Sequence, residues 1–246
     1  MRMSPFGVHT SSFQSLLVPG SDPADVLVRA MTACGARECE LFAPQIEARF
    51  GGPHAGHGQM SAMSPQMMRR ELRKWRLRTP PSFFEEIASR FRKGGIAIGA
   101  CNFGPDASFS DEEIDRTFVM AKALGAGLLT ASAATDLAAR LAPFAATHRL
   151  TLGLAGDTIK TSQYVKIVVD AARLASPHPN AAEYVREHHG SIASLRVGCD
   201  GIEEPVRQAV DAITRGGWPI PVFVESPGHD DPVDAVKRCL AALDAR

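Results

Sequence analysis

Short apolar runs alternate with longer segments of helical period along the whole chain. The runs show the period of two that is typical of strands, and the segments between them repeat apolar residues every three or four positions. The predicted strands are Phe6–Thr10, Glu38–Ala43, Ile96–Phe103, Gly127–Ser132, Leu150–Gly156, Val165–Asp170, Ile192–Val197 and Pro221–Ser226. This strand–helix alternation predicts one closed, parallel (β/α)₈ barrel over residues 1–246. A doubly wound open sheet is the alternative, but no glycine-rich fingerprint follows the first strand to favour it.

Helix start signals support the same alternation. Asp22 followed by Pro23 predicts one helix start, and Ser110 with Glu113 has the spacing of a capping box. After the second strand, a long insert precedes two helical segments that are separated by a Pro-Pro break. The link "DTIKTSQY" between strands five and six is too short for a full barrel helix. The fifth helix is therefore expected to be short or missing.

Composition narrows the class of protein. Lys plus Arg and Asp plus Glu both number 27 in 246 residues, so no broad basic field is available for nucleic acid. The five cysteines form no C-x-x-C pair, which is typical of reduced thiols. The N-terminal "MRMSPFGVHTSSF" lacks the apolar core of a signal peptide, and no run approaches the ~18 apolar residues of a membrane span. We expect a cytoplasmic protein without nucleic-acid or membrane partners, of unspecified oligomeric state.

Polar residues are predicted at the C-terminal ends of the strands, where barrels of this kind hold their chemistry. Strand periodicity turns the following residues inward near those ends: His9, Glu40, Asp170, Arg196 and Glu225, with Ala155 on strand five and either Cys101 or Asn102 on strand three. Buried charges are stable only when they are paired or bound to a ligand. The group is thus an internal salt-bridge network or a ligand site, and its position at the strand ends favours the ligand site.

Several segments together carry a resemblance to a known family. They are "GVHTSSF", "ECELF", "ELRKWRL", "FSDEEIDRTFVMAKALG", "LLTAS", "EYVREHHGSIASL" and "WPIPVFVES". Over nearly its whole length the chain resembles the sugar phosphate isomerase/epimerase family of xylose isomerase-like TIM barrels. The resemblance implies an isomerase or epimerase that transfers a proton next to a carbonyl of a sugar or sugar phosphate. It also implies a divalent metal, Mn or Mg, that polarises substrate oxygens.

Carried over residue by residue, the family's metal site is only half present. Asp170 and Glu225 match two of its four ligands, whereas Ala155 and Arg196 stand at the other two. Arg173 replaces a further histidine of the family. Alanine has no donor atom and a guanidinium has no lone pair for a metal. Our hypothesis is that Arg196, together with Arg173, replaces the charge of the metal.

The resemblance also suggests roles at the mouth. Glu225 is the predicted acid/base group, Asp170 the second catalytic carboxylate, and Arg196 the group that stabilises an enediolate oxygen. The predicted substrate-binding residues are His9, Glu40, Asn102, Asp157 and Arg173. Asp157 is either a counter-ion or an acid/base group.

Alternative functions remain open from sequence. One is a catalytically inactive family member that binds a carbohydrate or a protein partner, since two ligands and two active-site loops have been lost. Endonuclease-type DNA repair needs a histidine-rich zinc site and a basic groove, and neither is visible. His54 and His57 in "GGPHAGHG" are expected either to supply replacement metal ligands or to belong to a mobile lid or disordered loop.

Overall fold

A computed structural model describes residues 6–47, 64–132, 135–156, 159–174, 180–200, 202–226, 228 and 230–245. Its strands are β1 (Gly7–His9), β2 (Glu38–Phe42), β3 (Ala97–Asn102), β4 (Leu128–Ser132), β5 (Thr151–Ala155), β6 (Val165–Asp170), β7 (Ile192–Gly198) and β8 (Val222–Glu225). Each strand pairs in parallel with the next, and β8 pairs with β1 to close the barrel. The predicted (β/α)₈ barrel is confirmed.

The helices surround this barrel. They are α1 (Pro23–Cys34), α2 (Pro65–Arg78), α3 (Pro81–Lys93), α4 (Asp111–Ala123), α5 (Thr135–His148), α6 (Ala171–Leu174), α7 (Ala181–His188), α8 (Glu204–Gly216) and α9 (Pro232–Asp244). Residues 10–16, 43–45 and 189–191 form short 3₁₀ segments. No helix lies in the described part of the link between β5 and β6, as predicted. Nor does any described helix have the length and apolar character needed to cross a membrane.

The predicted helix starts are formed by side-chain caps. The Asp22 carboxylate accepts the backbone N–H of Ala24 at 2.9 Å, and Pro23 opens α1. The Ser110 hydroxyl and the Glu113 carboxylate cap each other's backbone N–H groups at the start of α4. These bonds satisfy N–H groups that have no partner within the helix. Both caps join residues that are two or three positions apart in the sequence, so they can be predicted without knowledge of the tertiary structure.

The barrel separates an outer core, between strands and helices, from a smaller interior cluster. The interior cluster contains Ala100, Leu128, Val168, Ala193 and Phe223. Ala100 faces inward and Cys101 packs in the outer core, so Asn102 is the inward residue that ends β3.

The start of β7 departs from simple alternation. A register shift between β6 and β7 follows Ile167, and it places Ile192 in the outer core and Ala193 in the interior cluster. Strict period-two alternation along β7 predicts Ile192 on the same face as Arg196. Ile192 instead lies on the other face, because an irregularity in the ladder reverses side-chain direction before Ser194.

The narrow interior of the barrel predicts that a larger side chain at Gly7 destabilises the protein. A Cβ atom there would lie 2.6 Å from Cδ1 of Phe223 and 3.1 Å from the backbone oxygen of Glu38. Phe223 is fully buried, so the ring has little room to move. Gly7→Ala is expected to lower the free energy of unfolding by about 1–3 kcal/mol, measured by urea denaturation. Gly127→Ala is the control, since its Cβ would approach only a backbone oxygen, at 4.0 Å; an equal effect of both variants would contradict the prediction.

Candidate active site at the mouth of the barrel

The segment that follows β1 joins the ends of three strands. The Thr10 hydroxyl accepts the N–H of Phe42 at 2.8 Å and donates to the Gln45 side chain at 2.6 Å, which ties the segment to the end of β2. The Ser12 hydroxyl accepts the N–H of Ser226 at 3.0 Å, which ties it to the end of β8. Thr10 and Ser12 are buried. The short sequence "HTSS" thus positions the C-terminal mouth.

Glu225, at the end of β8, is joined to His9, at the end of β1, through Ser11. The Ser11 hydroxyl donates to Glu225 Oε1 at 2.9 Å and lies 2.6 Å from His9 Nδ1. The direct distance from His9 Nδ1 to Glu225 Oε1 is 3.5 Å. The Glu225 side chain is 31% exposed and that of His9 only 4%. A partly exposed carboxylate therefore stands beside a buried imidazole.

The bond directions define the tautomer of His9. Because the Ser11 hydroxyl gives its proton to Glu225, its oxygen accepts from Nδ1–H of a neutral His9 ring. Nε2 then carries a lone pair, and no described residue hydrogen-bonds this buried atom. Burial lowers the pKa of His9, and it outweighs the opposing effect of the Glu40 carboxylate. The site therefore offers a buried hydrogen-bond acceptor next to Glu225.

The lowered pKa of His9 predicts a pH-dependent stability. Between the unfolded pKa of 6.5 and the lower folded value, the unfolded state holds more protons, so stability rises with pH in this window. The contribution is present in full above pH 6.5 and is lost as pH falls. Relative to His9→Asn, wild type should lose up to about 1.4 kcal/mol per pH unit below that point, measured by urea denaturation. A constant difference between pH 7 and pH 5 would contradict the neutral ring.

Arg196 and Glu40 form a buried ion pair just below this level. Arg196 Nε and Nη2 donate to the two Glu40 oxygens at 3.1 and 2.5 Å, and the Thr130 hydroxyl donates to Glu40 as well. The Glu40 side chain is 0% exposed and that of Arg196 is 19% exposed. Burial alone would raise the pKa of Glu40, but the positive charge of Arg196 and the hydrogen bonds from Arg196 and Thr130 lower it. The charge of Arg196 is thus neutralised within the barrel.

The position of Arg196 in the ladder explains why it does not reach the outer rim. Arg196 is in register with Phe223, whose ring fills the interior, whereas Glu225 is in register with Gly198 two residues further along. Arg196 therefore lies one layer deeper than Glu225, at a level where Glu40 is available as a partner.

Asp170 and Arg173 lie at the opposite side of the mouth. The Asp170 carboxylate accepts the N–H of Ala172 at 3.0 Å, and its other oxygen lies 3.9 Å from Arg173 Nε. Their side chains are 51% and 74% exposed, so this pair is open to solvent. Asn102 is buried at the end of β3.

Other residues named from the sequence fall outside the described part of the chain. They are Asp157, His54 and His57.

The described donor set does not fit the family's metal site. Asp170 and Glu225 supply carboxylates, but Ala155 contributes a methyl group and Arg196 a cation that is bound to Glu40. Within the described ranges, no three His, Cys, Asp or Glu side chains are grouped so as to hold a metal ion. A divalent ion needs several oxygen or nitrogen ligands with lone pairs directed at one point.

Ser11 and Thr130 are not among the residues predicted from the sequence. Both carry signals in retrospect: Ser11 lies two positions after His9 in "GVHTSSF", and Thr130 lies on the inward face of β4. Hydroxyl groups are common at strand ends for structural reasons. Only the tertiary contacts show that these two bind the site carboxylates.

Comparison with known proteins finds similarity in structure only. No family model matches the chain, and no curated protein sequence matches it significantly. A sugar phosphate isomerase/epimerase from Parabacteroides distasonis superposes with a TM-score of 0.65 at 13% identity, over 100% of this chain and 97% of that one. The 3-keto-D-glucoside 4-epimerase of E. coli gives 0.67 at 12% identity over 100% of both chains. L-Ribulose 3-epimerase gives 0.67 at 13% identity, over 98% of this chain and 93% of the other. The chain therefore has the same (β/α)₈ barrel fold as these three proteins.

Proposed function

We propose that the protein is a sugar isomerase or epimerase that transfers a proton beside a carbonyl at the C-terminal mouth of the barrel. The observation that carries the proposal is the Glu225–Ser11–His9 chain, which ends in the buried Nε2 atom without a partner among the described residues. The fold shared with sugar epimerases supports the same reaction class.

Glu225 is the proposed acid/base group. Its side chain is partly exposed, so a bound substrate can reach the carboxylate, and the Ser11 hydroxyl holds one of its oxygens at 2.9 Å. A carboxylate held in this way removes a proton from the carbon next to a carbonyl and returns it to the neighbouring carbon on the same face of the enediol. Epimerisation needs, in addition, a proton donor on the opposite face of the carbon. Ser11 keeps the second oxygen directed towards the substrate.

His9 is the proposed binding group for a substrate hydroxyl. A neutral ring with Nδ1–H bound to Ser11 leaves the lone pair of Nε2 to accept a hydroxyl proton. Asp170 and Asn102 are proposed to bind further hydroxyl groups from β6 and β3. Arg196 takes no proton in this scheme, because its guanidinium is bound to Glu40, and the Glu40 carboxylate offsets the positive charge that Arg196 places below the substrate.

The reaction class is tested by hydrogen exchange. The purified protein is incubated in D₂O with a panel of ketoses and their phosphates, and NMR follows deuterium incorporation and the appearance of isomers. Exchange next to the carbonyl of at least one sugar supports the proposal. Sugar binding without exchange would overturn it in favour of the inactive carbohydrate-binding protein, which the loss of donor atoms at Ala155 and Arg196 otherwise favours.

The absence of metal donor atoms at two positions of the mouth predicts low metal content. After dialysis against manganese, elemental analysis is expected to find much less than one equivalent per chain, because Arg196 and Ala155 offer no lone pair. Exchange activity should likewise survive dialysis against a chelator. One equivalent of manganese that is lost in Glu225→Gln would contradict this prediction.

A further inference from the structure

A cavity lies beside the mouth, between α2 and the segments that follow β2 and β3. Its volume is about 920 Å³, within the size range of small-molecule sites. Phe42, Phe103 and Phe109 form part of its wall. The Phe42 ring centroid lies 5.8 Å from that of His9, so one aromatic side chain links the cavity to the mouth.

One face of α2 lines the cavity with arginines. Arg69, Arg73 and Arg76 follow the spacing i, i+4, i+7, which places them on one stripe of the helix, and all three line the cavity. Trp75 fixes the rotation of α2, because its ring packs edge-on against Phe83 at a centroid distance of 5.7 Å. The arginine stripe therefore lies on the side of α2 that borders the cavity.

Arg76, the last arginine of this stripe, lies in the wall of the cavity and is held in place by two contacts. Its Nε and Nη2 donate to the Glu47 oxygens at 2.6 and 2.7 Å, and its guanidinium lies 4.5 Å from the centroid of Phe109. Both partners are buried. This pair is neutral as a unit and gives the cavity a rigid wall.

Arg73 has a longer contact with a carboxylate than Arg76 does, and it is more exposed. Arg73 Nε is 3.5 Å from a Glu113 oxygen that also accepts the Ser110 N–H at 2.9 Å, and the Arg73 side chain is 48% exposed. Among the described lining residues, four arginines face three carboxylates, so positive charge is in excess. Arg69 and Arg73 both line the cavity, and both side chains are exposed to solvent there.

The mouth itself has the opposite charge balance. Among the described residues there, the carboxylates of Glu40, Asp170 and Glu225 outnumber the guanidinium groups of Arg173 and Arg196. A dianionic group is therefore disfavoured next to Glu225 and favoured among the α2 arginines. Arginine presents paired N–H donors that match the oxygens of a phosphate.

We propose that this cavity binds the phosphate group of a phosphorylated substrate, with Arg69 and Arg73 as its ligands. The assignment of the phosphate to a substrate rests on the proposed isomerase or epimerase function; phosphate binding in the cavity does not. The sugar then extends past Phe42 to His9 and Glu225. The substrate class is accordingly a sugar phosphate rather than a free sugar.

The test is a calorimetric titration of the whole protein with inorganic phosphate at constant ionic strength. Arg69→Ala/Arg73→Ala is expected to weaken phosphate binding at least about tenfold, since charge-assisted hydrogen bonds are lost. Arg69→Ala alone keeps the Arg73–Glu113 contact and tests the site if the double variant is unstable. Arg78→Ala, an exposed arginine on the same helix that does not line the cavity, is the matched control. Equal binding by wild type and the Arg69 variants, an equal loss in Arg78→Ala, or acetate binding as tightly as phosphate would overturn the proposal.

Kinetics separate the two proposals. With a sugar phosphate substrate, the arginine variants should raise KM at least about tenfold and change kcat little, because they remove uniform binding. Phosphate binding without hydrogen exchange on any sugar would leave the cavity assignment standing and overturn the proposed function. Hydrogen exchange on free sugars without phosphate binding would support the proposed function and overturn the cavity assignment.

Discussion

Replacing Glu225 by glutamine is expected to reduce kcat for hydrogen exchange about 10²- to 10⁴-fold, the range that positioned acid/base groups contribute. The amide keeps the shape of the side chain and can still accept the Ser11 hydroxyl proton, but it cannot take a proton from carbon. KM should change little, since Glu225 acts on the reacting carbon. The measurement is NMR exchange in D₂O with the best sugar of the panel.

Two control variants make this result specific. Glu85→Gln, an exposed residue on α3, removes the same charge far from the mouth and should leave the exchange rate unchanged. Asp170→Asn removes a carboxylate at the mouth that is proposed to bind a hydroxyl group, and it should act mainly on KM. Exchange by Glu225→Gln within about threefold of wild type would assign the acid/base step to another group.

Replacing Arg196 by methionine is expected to lower the free energy of unfolding by about 3–5 kcal/mol, the cost of breaking a buried ion pair from one side. Glu40 is fully buried and would keep its charge, or gain a proton, without the two bonds that Arg196 donates. Methionine approximates the volume of the arginine stem, so the effect reports the charge rather than a cavity. Chemical denaturation at pH 7 measures it.

The double variant Glu40→Leu/Arg196→Met tests whether the unpaired Glu40 carboxylate causes the loss of stability in Arg196→Met. If the loss comes from an unpaired buried carboxylate, removing that carboxylate as well should recover most of the stability. Additive losses from the two single changes would show that the pair is not the source. A loss below about 1 kcal/mol in Arg196→Met would mean that water solvates the Glu40 carboxylate inside the barrel.

The sequence-based predictions succeeded where one local pattern decides the outcome. All eight strands lie within about one residue of their predicted places, because period-two alternation expresses a physical requirement to bury one face. The helix caps at Asp22 and Ser110 depend only on nearby residues, and both formed. The absence of a helix in the described part of the β5–β6 link follows from chain length alone.

Two details at β7 could not be predicted from the chain alone. The register shift after Ile167 reversed the directions of Ile192 and Ala193, and such irregularities arise from pairing between strands. Arg196 was expected to replace the charge of a metal between Asp170 and Glu225, whereas the structure pairs it with Glu40, 156 residues earlier in the chain. Which carboxylate a buried arginine selects depends on its depth in the barrel.

The amino-acid sequence by itself determined the barrel, its inward polar residues and the absence of metal donor atoms at Ala155 and Arg196. These properties follow from side-chain period and from the chemistry of single residues. Only the tertiary structure decided that Ser11 links His9 to Glu225 and that the α2 arginines face a cavity next to Phe42. Such contacts join segments that are distant along the chain, and closure of the barrel is what brings them within hydrogen-bond distance.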